Sequence, residues 1–195
     1  GLYLKVINRI AGEVAKKHPE VMILVNASKY LEKGPMGGVK AAPNIGVRFC
    51  PLGVNFANSI LDDEAPNRKT RENLLSWQGK ADSIFVWDYA VTFGLDTLGY
   101  PFANEWYFGE KYRFYQSCGL RAIEWEQEWP EASDLFDLKH YLLSKLSEKP
   151  DLDYPALMKR AFNEFFGPKA GPLVYASRKR LLDAQQRSRP YISFM

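Results

Sequence analysis

Ser83-Ile84-Phe85-Val86-Trp87-Asp88-Tyr89-Ala90-Val91 is a run of β-branched and aromatic residues whose only charge sits near its C-terminal end. A run this apolar reads as a strand covered on both faces, the mark of a parallel sheet flanked by helices. Strand alternation puts Ile84, Val86 and Asp88 on one face and Phe85, Trp87 and Tyr89 on the other. An aspartate at the outgoing end of a parallel strand stands where α/β folds gather ligands and chemistry. Capping of the following loop is the competing role for Asp88.

Working outward, three further runs read as buried strands. Val21 to Val25 ends in Asn26, Ile45 to Cys50 is halted by Pro51, and Leu120 to Glu126 follows Gly119. With the pivotal run they predict strands near 21–26, 45–50, 84–90 and 120–126. Helical spacing fills the intervals: Leu2 to Lys17, stopped by His18-Pro19; Asn67, as cap, to about Lys80; and Asn104 to Ser117. Ser133 to Leu146, Tyr154 to Phe166 and Gly171 to about Gln186 complete the chain. The expected fold is α/β: a partial (half) TIM-type (β/α) barrel with four parallel strands, extra C-terminal helices and a single domain over 1–195. Four strands leave two open edges, so a homodimer or a missing N-terminal barrel half is the expected partner.

At 195 residues, 46% hydrophobic and with a net charge of +3, the chain has enough apolar surface for one core. Basic residues gather in Arg178-Lys179-Arg180, Arg187 and Arg189, but no aromatics interleave with them, which argues against nucleic acid. No stretch has the length of a membrane span and no signal peptide opens the chain, although export of a longer parent stays open. Cys50 and Cys118 fall at opposite ends of the expected sheet and read as free thiols. Two histidines, His18 and His140, are too few for a zinc site, and no glycine-rich phosphate loop follows any strand. Asp62-Asp63-Glu64 lacks the alternating oxygen spacing of calcium loops. No metal and no cofactor is expected.

The long loops all follow strands, which collects them on the C-terminal face of the sheet. Asp88, Glu124, Glu126 and Asp62-Asp63 converge there, among Trp87, Tyr89, Phe93, Tyr100, Trp125 and Trp129. Rings that stack on pyranose C–H faces, beside carboxylates and amides that bond hydroxyls, suit a carbohydrate ligand. Paired carboxylates also fit glycoside hydrolysis. Glu124 and Glu126 share one strand face about 7 Å apart, and catalysis needs opposition across a substrate rather than proximity on one strand. Loop capping and salt bridging compete with catalysis for each carboxylate.

The order of motifs resembles the bacterial glycosidase-like barrel proteins that carry domain of unknown function 4838. The resemblance runs from Val6-Ile7-Asn8-Arg9-Ile10-Ala11, through Ile45 to Cys50, Trp77 and Val86-Trp87-Asp88-Tyr89, to Gly119-Leu120-Arg121, Glu126-Gln127 and Phe162 to Gly167. It implies the C-terminal half of a glycoside hydrolase-like barrel acting on polysaccharide or oligosaccharide. Asp88 with Glu126 or Glu124 would be the catalytic positions, with Trp87, Tyr89, Trp125, Gln127 and Asn26 binding substrate. A non-catalytic carbohydrate-binding or self-associating scaffold is the alternative. Two departures stand out: Val54-Asn55-Phe56-Ala57-Asn58 replaces a loop in which relatives tend to carry histidine, and Ile123 to Gln127 runs one residue longer than usual. Glu124 and Glu126 therefore compete for one acidic position.

Overall fold

The computed structural model describes residues 1–90, 100–126 and 133–192. Four strands, β1 (Ile23–Ala27), β2 (Ile45–Phe49), β3 (Ser83–Tyr89) and β4 (Ala122–Glu126), form one parallel sheet in the order β1-β2-β3-β4. The sheet is open, with β1 and β4 at its edges. Each strand-to-strand crossover between parallel neighbours needs a long connection, which the helices and loops supply. This is the architecture of a partial (β/α) barrel.

The two faces of the sheet differ. Val25, Ala27, Val47, Phe49, Ile84 and Val86 are buried under the helices, whereas Leu24 is half exposed on the opposite, open face. Gly46 shapes that open face: a Cβ there would come within 2.7 Å of the Leu24 and Phe85 side chains and 2.9 Å of the Met22 sulfur. The absent side chain lets three large neighbours close over β2.

Helix α1 (Leu2–Lys17) buries Leu4 and Ala11, one apolar stripe, and carries Lys16 and Lys17 in its last turn where cations offset the helix dipole. Asn8 fixes its height by donating to Lys40 O (2.7 Å) and accepting from Ala42 N (3.0 Å). Helix α2 (Ala65–Leu75) starts two residues earlier than expected, with Pro66 in its first turn. Asn67 is therefore no cap. It lies inside the helix, fully buried, and bonds Asn55 and Ser59 in the loop after β2. The helix stops at Leu75, short of Lys80, because the Ser76 hydroxyl bonds Asn73 O and Gly34 N and Gly79 turns left-handed (φ +68°).

After β3, a 3₁₀ turn (Asn104–Tyr107) leads into α3 (Phe108–Ser117). Helix α4 (Phe136–Glu148) follows β4. The last element, α5 (Tyr154–Ser188), is two helical arms broken at Gly167 (φ 79°, ψ 163°), as the separate expectations for 154–166 and 171–186 require. The second arm folds back on the first: Gly171 lies so close that a Cβ would sit 2.6 Å from Phe162 O, and Tyr175 meets Phe162 edge-on at 5.4 Å. That arm then crosses the strand-end loops. Arg178 bonds Phe102 O, Glu105 and Asp134, and Gln185 bonds Ala103 N and Ala57 O. Loops following β2, β3 and β4 are thereby strapped together.

Candidate functional site

In a parallel sheet, residues paired across neighbouring strands project to the same face. Register pairs Asn26 with Arg48, Arg48 with Phe85, Trp87 with Glu124, and Tyr89 with Glu126. The open face therefore gathers Asn26, Arg48, Trp87, Glu124, Tyr89 and Glu126 toward the C-terminal ends of the strands. Arg48 is the hub. Its Nε donates to Asn26 Oδ1 (2.9 Å), its Nη1 donates to Glu124 Oε2 (2.7 Å), and its guanidinium carbon lies 4.4 Å from the centre of the Trp87 ring. Trp87 stacks with Tyr89 at 6.3 Å and 23°, and Phe56 closes on Tyr89 edge-on at 6.2 Å. Cys50, just beyond β2, is buried beside this group. Burial pushes its thiol up to about 11; Arg48 opposes that rise, and the negative charge of Glu124 adds to it.

Asp88 and Trp125 belong to the other face, since they pair with each other in register one residue out of phase. Asp88 is 2% exposed and its Oδ2 lies 2.6 Å from Lys111 Nζ on α3. The phenols of Tyr112 and Tyr115 on the same helix are raised well above the usual tyrosine range, by burial first and then by the Asp88 charge. Space left around the pair is about 20 Å³, bounded by Asn55, Asn58, Asn104 and Tyr107 among others, room for about one water. Trp125 stands edge-on to His140 of α4 at 4.3 Å. The expectation that Asp88 shares a pocket with Glu124 or Glu126 is thus corrected. Strand-end position locates a residue along the axis, but alternation decides its face, and here it turns Asp88 toward the helices.

Asp62 and Asp63 lie elsewhere again. They line a cavity of about 490 Å³ between the loop after β2 and the end of α5, with Asn58, Glu64, Tyr107, Gln186 and Arg189. Gln127, Phe93 and Trp129 fall outside the described residues.

Arg48 and Lys111, which organise two of these places, are not among the residues the sequence singles out, and Asn55 stands there only as part of the loop Val54 to Asn58. Arg48 had a readable signal, as the one charge inside the apolar run Ile45 to Phe49. Lys111 had none, because a lysine on an amphipathic helix is ordinarily solvated.

Among the described residues no group of three or more His, Cys, Asp or Glu is placed to hold a metal ion, and no helix is long and apolar enough to cross a membrane. Neither a curated protein nor a solved structure matches the chain. One protein family does match, over residues 1–177, a span that includes all four strands and both the open-face cluster and the Asp88–Lys111 pair. The chain belongs to the family described as Domain of unknown function (DUF4838).

Proposed function

We propose that this chain supplies one wall of a carbohydrate-binding cleft, as the C-terminal half of a larger glycoside hydrolase-like barrel acting on polysaccharide or oligosaccharide. The observation that carries this reading is the open-face cluster: the stacked Trp87 and Tyr89 rings beside the Arg48, Glu124 and Asn26 polar groups. Rings take the apolar face of a sugar while carboxylate, amide and guanidinium take its hydroxyls. The Trp87 indole nitrogen supports it, being buried with no acceptor among the described residues, a costly state that an added partner relieves.

Binding is the better-supported part. With Asp88 turned to the helices, the predicted acids left on the open face are Glu124 and Glu126, both on β4. Glycoside hydrolysis requires a second carboxylate across the substrate, and in this reading the other barrel half supplies it. The test is oligosaccharide binding by the intact protein and its Trp87→Ala variant. A loss of about tenfold or more in a Trp87→Ala protein that remains folded at the assay temperature supports the cleft; unchanged affinity sinks it.

A second reading has its own observation. Met22 and Leu24 are 39% and 50% exposed on the same open face, next to an edge of β1 that is unpaired among the described residues. Exposed apolar surface beside a free strand edge favours self-association. Sedimentation showing only monomer at high concentration rules that out.

A further inference from the structure

The cavity of about 490 Å³ beside α5 shares no residue with the open-face cluster, and its size falls in the range of small-ligand sites, about 300–1,000 Å³. Its two walls come from distant parts of the chain, and Asn55 locks them together. The Asn55 amide donates to Pro190 O (3.0 Å) and Glu64 Oε2 (3.3 Å), and its carbonyl accepts from Ile192 N (3.0 Å) and Ala57 N (3.1 Å). Phe56 N adds a bond to Ile192 O (2.7 Å). The shape is held before any ligand arrives, which lowers the ordering cost of binding.

Several polar groups in this wall are left unengaged. Asp63 is taken by Arg68 (3.2 Å) and Arg71 (3.6 Å). Among the described residues, however, the Asp62 carboxylate and the Arg189 guanidinium have no side-chain partner. Glu64 accepts from Asn55 and Asn58 through Oε2, while its Oε1 is buried without any donor among the described residues. The Tyr107 ring stands half-buried in the same wall, its hydroxyl oriented by Gln186 Nε2 at 3.4 Å. Free carboxylate acceptors, one guanidinium, an amide and a fixed aromatic ring match a sugar ring, whose hydroxyls both donate and accept and whose C–H face is apolar.

We infer that this cavity is a second saccharide-binding site, apart from the open face; the inference rests on the carbohydrate reading above. The test titrates the intact protein calorimetrically with cellohexaose, xylohexaose, maltohexaose and chitohexaose. Compared with it are Asp62→Ala, Arg189→Asn (asparagine tolerates the φ of 47° at that position) and Trp87→Ala. The expected result is an oligosaccharide that occupies two sites. Asp62→Ala and Arg189→Asn weaken one at least tenfold with unchanged melting temperatures, and Trp87→Ala, folded at the assay temperature, weakens only the other. Binding abolished by Trp87→Ala and untouched by the other two variants overturns the second site and leaves the open-face reading intact. Binding lost in Asp62→Ala and Arg189→Asn but indifferent to Trp87→Ala does the reverse. No binding of any of the four overturns both.

Discussion

Arg178 in the second arm of α5 donates from Nε and Nη2 to the two carboxylate oxygens of Glu105, each at 2.8 Å, across a separation of 73 residues. The same guanidinium reaches Asp134 (2.8 Å), which also holds Lys139 (3.1 Å). Glu105 and Lys139 are fully buried. Burial lowers the Lys139 ammonium from its ordinary range, against the pull of Glu105 and Asp134. Two cations and two anions thus balance inside the protein. Arg178→Ala is expected to cost about 3–5 kcal/mol, because it strands a buried carboxylate. Arg178→Lys recovers little, since an ammonium cannot span both oxygens. Urea unfolding measures this; a loss below about 1 kcal/mol contradicts it.

Asp88 is expected to act on stability. Asp88→Asn leaves Lys111, itself 12% exposed in its side chain, without a counter-charge, and the expected loss is about 3 kcal/mol. The double variant Asp88→Asn, Lys111→Met is expected to be more stable than Asp88→Asn alone, since the stranded charge is gone. Sugar affinity stays unchanged in both. An Asp88→Asn protein of native stability that binds sugar weakly overturns this assignment.

Arg48 is expected to behave in the opposite way. Its pair with Glu124 is open to solvent on the glutamate side (57% exposed), so Arg48→Met should lower stability by no more than about 1 kcal/mol. It removes the group that orients Asn26, Trp87 and Glu124 together, and oligosaccharide affinity falls roughly tenfold. Lysine at this position does not restore it, lacking the planar fork. Full rescue by lysine speaks against a positioning role.

Cys50 gives a pH-dependent readout. The thiolate is the species that alkylates, and a thiol at about 11 is ionised to roughly one part in a thousand at pH 8. Iodoacetamide labelling of the native protein at pH 8 is therefore expected to be slow at Cys50, rising about tenfold per pH unit until about pH 11. The unfolded chain reacts near the ordinary thiol value of about 8.5. The sign follows for stability: the folded state holds this proton longer. The contribution of Cys50 is fully present below about pH 8.5 and is lost as pH climbs toward 11. Mass spectrometry of labelled peptides checks the rate, and rapid labelling of folded protein at pH 8 contradicts it.

The sheet was readable because its signals are local. β-branched runs bounded by Pro, Gly or Asn marked all four strands to within two residues at each end, and the separate helical patterns of 154–166 and 171–186 marked the break in α5. Asp88 shows where locality ends. Its place on the Ile84-Val86 face was available from alternation, yet which face the helices cover depends on packing between segments far apart in sequence. Asn67 repeats the lesson: asparagine before a helical run reads as a cap, but here its amide bonds Ser59 O, eight residues back in the loop after β2. Apart from Ala57, the bonding partners of the Arg178, Asn55 and Lys111 side chains lie 9 to 137 residues away, and periodicity has nothing to say about such distances.

The strap formed by the second arm of α5 also sets an order of assembly. Asn55 and Phe56 both take bonding partners at residues 190 to 192. The loop after β2 thus cannot adopt its final arrangement until residues 190 to 192 have left the ribosome. The parallel sheet forms from contacts a few tens of residues apart, whereas the surface above it waits for contacts spanning most of the sequence, the slow kind to close. A nascent chain stalled before residue 178 would carry a sheet and its open face while lacking the second cavity, so the two surfaces come into being at different times.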